Sequence, residues 1–451
     1  IPMDRFDKLV IAIIAGLLGT IFALVFSARL IGLNLPAIPD SVDAEVGVLG
    51  PLRVKFPAEM DITSVAERIS ISPQTSGETL WQGDMMEFWP DQPLQKGAEY
   101  TLAIRAGARS LDGREISDSV ELEYTVRSPR IALLKPIIDQ PEIWLFEDQS
   151  GGARQITNIG GSIFDYSAHP DGEHLVYSYP NDTGGIDLWM YSLNTRSSKM
   201  VLDCGINWCI YPSISPKGDL IAFSQRTRID ADSQPGFPKV YILNLAEGSS
   251  SRLYDDSQIT GFEPSWSPDG AKLAFFDGSV SAIRIHDFQS DSNIQLPSQM
   301  GRVGSWSPDG NRLIYNDVQF AGVVGKGILY IADLQEREIT QVLDSDPALE
   351  FNNPQWSLDG QWIASTARYI NSGNDQQLVL INAQSYTVEW ITNDARYTHS
   401  AQLWSPSSDS IVYQRFQMGS STFGPEVWVW DRVTQRSVMI SDQAGMPRWL
   451  P

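Results

Sequence analysis

At 451 residues the chain has room for two or three domains with real cores. Its net charge of −22 and pI of about 4.5 argue against nucleic acid as a partner, because neutralising phosphates takes clustered Lys and Arg. Two cysteines exclude both a cysteine-based zinc site and a disulfide-stapled mini-domain.

The first element in chain order is an uncharged run from Leu9 to Ala28, "LVIAIIAGLLGTIFALVFSA". It has the roughly 20 apolar residues that a bilayer-spanning helix needs. A cleaved signal peptide is the rival reading, and a buried core helix a third. The run is long, and Phe26 stands where a small residue would precede a cut after Ala28. Arg5 and Lys8 before the span, with Arg29 after it, orient the N-terminus to the cytoplasm and the bulk outside. The expectation is a single-pass cell-membrane anchor. Ala15, Gly19, Ala23 and Ser27 recur every fourth residue, a small-residue stripe suited to packing against another helix in lipid.

Residues 1–29 are therefore read as cytoplasmic N-terminus and transmembrane helix, and 30–45 as a linker. Residues 46–128 read as all-β. "VELEYTV" puts Val120, Leu122, Tyr124 and Val126 on one face, and "YTLAI" does the same with Tyr100, Leu102 and Ile104. Trp81 and Trp89 are expected in the core. Short strands separated by turns such as "QGD" and "LDG" predict a β-sandwich. The stretches "VKFPAEMDITSV", "ISISP", "LWQGDMMEFWPDQPLQKGAEYTLAI" and "GARSLDGREI", in that order, resemble bacterial Ig-like domains of envelope proteins. That resemblance implies a spacer or adhesive module without catalytic residues.

From residue 129 to 451 one motif recurs: "AHPDGEHLVYS", "ISPKGDLIAFS", "WSPDGAKLAFF", "WSPDGNRLIYN", "WSLDGQWIAST" and "WSPSSDSIVYQ". Measured at Pro170, Pro216, Pro268, Pro308, Leu358 and Pro406, the steps are 46, 52, 40, 50 and 48 residues. Such periods indicate a propeller or a solenoid. Each copy is followed by apolar stretches such as "DLWMYSL", "ILYIADL" and "REITQVL", giving four short strands per repeat. Proline presets the turn, aspartate caps it and glycine supplies a positive φ. The recurring aspartate is thus a turn residue rather than a catalyst, and the preceding tryptophan is placed to pack between neighbouring blades.

The chain closes on "PRWLP", a motif start with no blade after it, while "RIALL", "EIWLFED" and "ARQIT" at 130–157 are three strands with no motif before them. The two predict a composite seventh blade whose inner strand is C-terminal, which removes open edges. The repeats resemble the TolB-type propeller family, whose type member has six blades; six is the alternative count. Members of this kind serve in binding, in assembly and as filters on peptidases, and no Gly-x-Ser-x-Gly elbow is present for the peptidase version.

Strand order puts the motif turns on one face and the unequal loops on the other. These loops are 225–237, 317–327, 367–375 and 416–424, and they carry Arg226, Arg228, Phe237, Phe320, Arg368, Tyr369, Phe416 and Phe423. Aromatics and arginines on loops of a rigid scaffold suit a protein-binding surface; the alternative is that each aromatic tucks into its own blade. Cys204 and Cys209 lie in a link on this face, where a disulfide is expected to stiffen the tip bearing Trp208; two buried thiols are the alternative. No histidine spacing selects a metal site, no cofactor is implied, and loop 181–187 is the one place considered for Ca²⁺.

The expectation is a non-enzymatic, membrane-anchored extracytoplasmic scaffold that docks a protein partner, as in a membrane or envelope complex. A glycan-binding receptor or a propeller-type glycan-active enzyme with paired carboxylates is the other class; no spacing selects such a pair.

Overall fold

The computed structural model describes residues 17, 19–20, 38–39, 45–147, 152–321, 324–343, 346–370, 375–419 and 424–451. The expected membrane span lies almost wholly outside these residues, as do Ala15, Ala23, Ser27 and Phe423. Of the span, Leu17, Gly19 and Thr20 are described, and they are helical. Among the described residues no helix is long and apolar enough to cross a membrane.

Contacts divide the chain into two units, Ile1–Val46 with Pro51–Arg127, and Gly47–Gly50 with Ser128–Pro451. The first unit holds two four-stranded sheets. One orders Ile38–Pro39, Leu52–Lys55, Met85–Pro90 and Gly77–Gln82; the other orders Glu45–Val46, Val120–Val126, Glu99–Ile104 and Ile69–Ser72. Period-two alternation fixes the inward faces: Leu122, Tyr124 and Val126, and Tyr100, Leu102 and Ile104, are buried. Trp89 is buried, whereas Trp81 is half-buried and stacks on Phe56 at 5.5 Å. A one-turn helix, Ile62–Ala66, interrupts the β pattern. The Asp61 carboxylate accepts from the backbone N–H groups of Thr63 and Ser64 and so starts it, a cap in "MDITS" that the strand reading passed over.

In the second unit, sets of four antiparallel strands recur. The first set is Asp165–Ala168, His174–Pro180, Ile186–Ser192 and Ser197–Leu202. Five more follow, beginning on the strands Trp208–Ile214, Phe262–Trp266, Ser305–Trp306, Leu349–Trp356 and Tyr397–Trp404. A further set joins distant parts of the chain: Gly445–Leu450 pairs with Arg130–Lys135, followed outward by Glu142–Phe146 and Ala153–Gln155.

Five of the motif turns are tied by a serine–aspartate pair. The Ser267 hydroxyl donates to Asp269 Oδ1 and accepts the N–H of Lys272, while Asp269 Oδ1 accepts the N–H of Ala271. Ser215–Asp219, Ser307–Asp309, Ser357–Asp359 and Ser405–Asp409 repeat the pair. The motif tryptophans staple one set to the next. Indole N–H groups of Trp266, Trp306, Trp404 and Trp449 donate to the carbonyls of Ser213, Ser265, Gln355 and Leu403 in the preceding set, at 3.0–3.2 Å. Trp356 departs from the rule: its indole donates to its own turn at Gly360, under the Arg312 guanidinium.

The first-strand bulges were not foreseen. Pairing slips between Ile210 and Ser213, Phe262 and Ser265, Asn352 and Gln355, Ser400 and Leu403, and Gly445 and Arg448. At each slip one non-glycine residue takes a left-handed conformation: Tyr211, Glu263, Asn353, Ala401 and Met446, with φ of 47–56°. The sequence did carry a signal. Pro212, Pro264, Pro354 and Pro447 follow four of these residues, and proline inside an inner strand marks a bulge.

Gly218 gives a test of turn packing. It has φ +76°, and an added Cβ would lie 2.3 Å from the His169 ring; at Gly270, with φ +70°, the nearest atom is 3.5 Å away. Gly270→Ala is expected to cost about 1–2 kcal/mol for the left-handed backbone alone. Gly218→Ala should cost roughly 1–3 kcal/mol more, because the imidazole must move. Urea denaturation of both variants measures the difference; equal losses would show that the ring yields freely.

Candidate binding face and central cavity

The end of each set where its first strand begins and its second strand finishes carries the long connections. Trp208 opens its strand opposite Arg226. Its indole N–H donates to the Gly184 carbonyl at 3.1 Å, and the guanidinium groups of Arg226 and Arg228 each sit 5.9 Å from the ring. These arginines also build the loop that follows. Arg226 donates to the carbonyls of Pro235 and Gly236, and Arg228 to those of Ala231, Ser233 and Gly184. They hold shape, and Trp208 lies half-buried among them rather than projecting from a tip.

Cys204 and Cys209 are joined as a disulfide with Cα atoms 6.4 Å apart. Both are buried with Leu188, Phe223 and Leu243 beneath the Trp208 loop. Above this floor the loop exposes Ile229 (92%) and Phe237 (77%). Two other sets present Tyr369 and Phe416 at the same end, opposite Leu349 and Thr398. Tyr369 is 43% exposed and stacks on Trp390 at 5.9 Å; Phe416 is 38% exposed. Arg368, read as a partner contact, is engaged by Glu350 and Asp375.

The stretch 317–327 is not the loop its glycines suggested. Strands Arg312–Ala321 and Val324–Asp333 extend into a long hairpin. Gly325 pairs with Phe320, and a Cβ there would come within 2.9 Å of Val318 and 3.2 Å of Phe320, so glycine makes room for its neighbours. Phe320 is 60% exposed on this hairpin. In loop 181–187 the Asn181 side-chain oxygen accepts from Thr183 and Gly185, and Asp187 Oδ1 from Asn181 and Cys204. Asn181 Oδ1 and Asp187 Oδ1 are thus engaged within the protein.

A second feature lies among the first strands themselves. A cavity of about 370 Å³ is lined mainly by the bulges, with Glu263, Arg302, Asn353, Gln402 and Arg448 on its wall. Beside them Asp165 is buried; its Oδ2 accepts the Tyr211 N–H. Burial pushes this carboxyl up to about 6, against the Tyr211 hydrogen bond and the Arg448 charge, while Glu263 adds to the rise. A folded-state value above the unfolded one, near 3.9, means that the contribution of Asp165 to stability is fully present below pH 4 and is lost as pH rises through 6. Asp165→Asn removes that loss. Its stability relative to the native protein should therefore rise by on the order of 2–3 kcal/mol between pH 4 and pH 7.5 in paired denaturant titrations. A pH-independent difference would contradict this.

Known proteins bear on these features. Residues 37–126 match the bacterial Ig-like domain family, and residues 247–443 match the TolB beta propeller domain family. Over those residues the chain is similar to a bacterial Ig-like domain and to a TolB-type β-propeller domain. Solved structures resemble it at the level of fold. An oligogalacturonate lyase from Vibrio parahaemolyticus aligns with a TM-score of 0.51 and 13% identity, over 75% of this chain and 98% of that one. Prolyl endopeptidase aligns at 0.50 and 8%, over 85% and 51%. TolB from Acinetobacter baumannii aligns at 0.43 and 14%, over 85% and 83%. No curated protein sequence matches the chain. A lyase and a peptidase thus share the fold, and the fold by itself assigns no chemistry.

Proposed function

We propose that the chain is a non-enzymatic, membrane-anchored extracytoplasmic scaffold, and that its propeller is a seven-bladed ring closed by Gly445–Leu450. In this reading the segment 9–28 is the anchor, the Ig-like domain is a spacer, and the propeller docks a protein of a membrane or envelope complex. One observation carries it: Ile229, Phe237, Phe320, Tyr369 and Phe416 are exposed at the ends of several sets that carry the long connections, the end at which Trp208 is held by two guanidiniums. Large aromatics on a fixed frame lose little conformational freedom on docking. The TolB-type family adds to the case, since such propellers serve in protein association. Purification of the native protein from membranes, followed by mass spectrometry, tests the reading. A stoichiometric protein partner supports it; a chain that purifies alone and turns over a glycan refutes it.

The cavity favours a second reading. Arg302 and Arg448 line this cavity, against one acidic residue, Glu263, in a protein of net charge −22. A small anionic ligand, including an acidic sugar, fits that chemistry. Calorimetry with acidic oligosaccharides on native and Arg448→Ala protein separates this reading from the first.

A further inference from the structure

His169, Asp171 and His174 come together at the first motif turn, where the other five sets place serine at the His169 position. His169 Nε2 lies 3.0 Å from the Gly218 carbonyl of the next set, so this nitrogen carries the proton and donates it. Nδ1 of His169 accepts the Asp171 N–H at 3.2 Å. Asp171 Oδ1 is 2.9 Å from the same Nδ1, and Asp171 Oδ2 is 2.8 Å from Nδ1 of His174. The candidate donor atoms of all three residues lie within 4.8 Å of one another.

Two imidazoles and a carboxylate whose donor atoms converge this closely can hold a cation. We propose that His169, Asp171 and His174 bind a divalent transition metal of the zinc class, with solvent as the fourth ligand. Two imidazole nitrogens with one carboxylate oxygen suit Zn²⁺ or Co²⁺ and are a poor set for Ca²⁺ or Mg²⁺. The outer contacts agree. A metal-bound histidine usually donates its other N–H to a carbonyl, as His169 does, and the Asp171 carboxylate is steadied by the N–H groups of Glu173 and His174. Asp171 is 3% exposed and His169 8%, while the His174 side chain keeps 30%, leaving one open side for solvent and entry. Arg130, whose charge would oppose a bound cation, is paired with Glu173 and Glu147. Because His169 also reaches Gly218, the metal would clamp the first set onto the second.

The test uses the purified, tag-free full chain and the metal ions alone. Co²⁺ is expected to bind one per chain with the visible absorption of a low-coordinate nitrogen and oxygen site, and Zn²⁺ to displace it and raise the melting temperature. His169→Ser rebuilds the serine turn of the other sets, so it should fold normally yet bind Co²⁺ roughly tenfold or more weakly. His174→Ala should do the same from the exposed side. Native protein with no such absorption, or His169→Ser with native affinity, overturns the proposal. So does a melting temperature that rises with acidification but ignores Zn²⁺, which would assign the gap to a shared proton.

Discussion

Deleting residues 446–451 is expected to lower the melting temperature of the propeller by roughly 10 °C or more. The loss is larger than a terminal hexapeptide normally brings, because this one is an inner strand. Leu450 and Arg448 pair with Arg130 and Ala132, and Leu450 is buried with Leu134, Ile143 and Leu145. The strand also touches the sets on both sides. Met446 accepts from the Tyr166 hydroxyl at 2.6 Å and donates to Gln414 at 3.0 Å, and the Trp449 indole donates to Leu403. Burying a side chain the size of Leu contributes about 1.5–3 kcal/mol, and each hydrogen bond about 1 kcal/mol. The sum is on the order of 5 kcal/mol, comparable to the whole stability of many domains. The deletion also bares the inner edge of Arg130–Lys135, so aggregation should accompany unfolding. Calorimetry on the intact and shortened chains decides it. A shortened chain that melts like the intact one would mean that the ring is not closed by this strand.

Replacing Trp208, Tyr369 and Phe416 together by Ala should weaken partner association by roughly thirtyfold or more, the effect of a single hot spot of about 2 kcal/mol. The three stand at corresponding ends of three different sets, so a partner that contacts them all must span several blades. Trp208→Ala also removes the bond to Gly184 and the two guanidinium contacts, so its loop must be checked by melting. Tyr369→Ala and Phe416→Ala are cleaner, because those side chains are more exposed. Lys217→Ala, exposed on a motif turn at the opposite end, should leave affinity unchanged. Equal retention by the triple variant, or loss with Lys217→Ala, would move the docking surface elsewhere.

What could be read from the sequence was whatever local chemistry writes into each repeat. Serine, aspartate and glycine build the same turn wherever they occur, so "SPDG" gave the period, and the unpaired "PRWLP" pointed to the partner strand of "RIALL". Features that need two distant stretches were not legible. The His169 cluster depends on the Gly218 carbonyl in the next repeat, and neither histidine stands at a metal-ligand spacing on a helix. The hairpin around Phe320 looked like a loop because Gly325 and Gly327 are poor strand formers; only the pairing with Phe320 and Val318 explains them. Arg226 and Arg228 were read as free contacts, since sequence cannot show that their guanidiniums are spent on the backbone carbonyls of a neighbouring loop.

The bulges separate two jobs that a plain strand would join. In an unbroken ladder, changing a channel-facing residue also disturbs the residue across from it. At Glu263, Asn353 and Ala401 the ladder skips, and no residue across the ladder is paired with them. Much of the wall around the central cavity comes from these skipped stretches. The interior of the ring is therefore a natural site for diversification: randomising those positions in a library should change what the channel recognises while the scaffold around it keeps its shape.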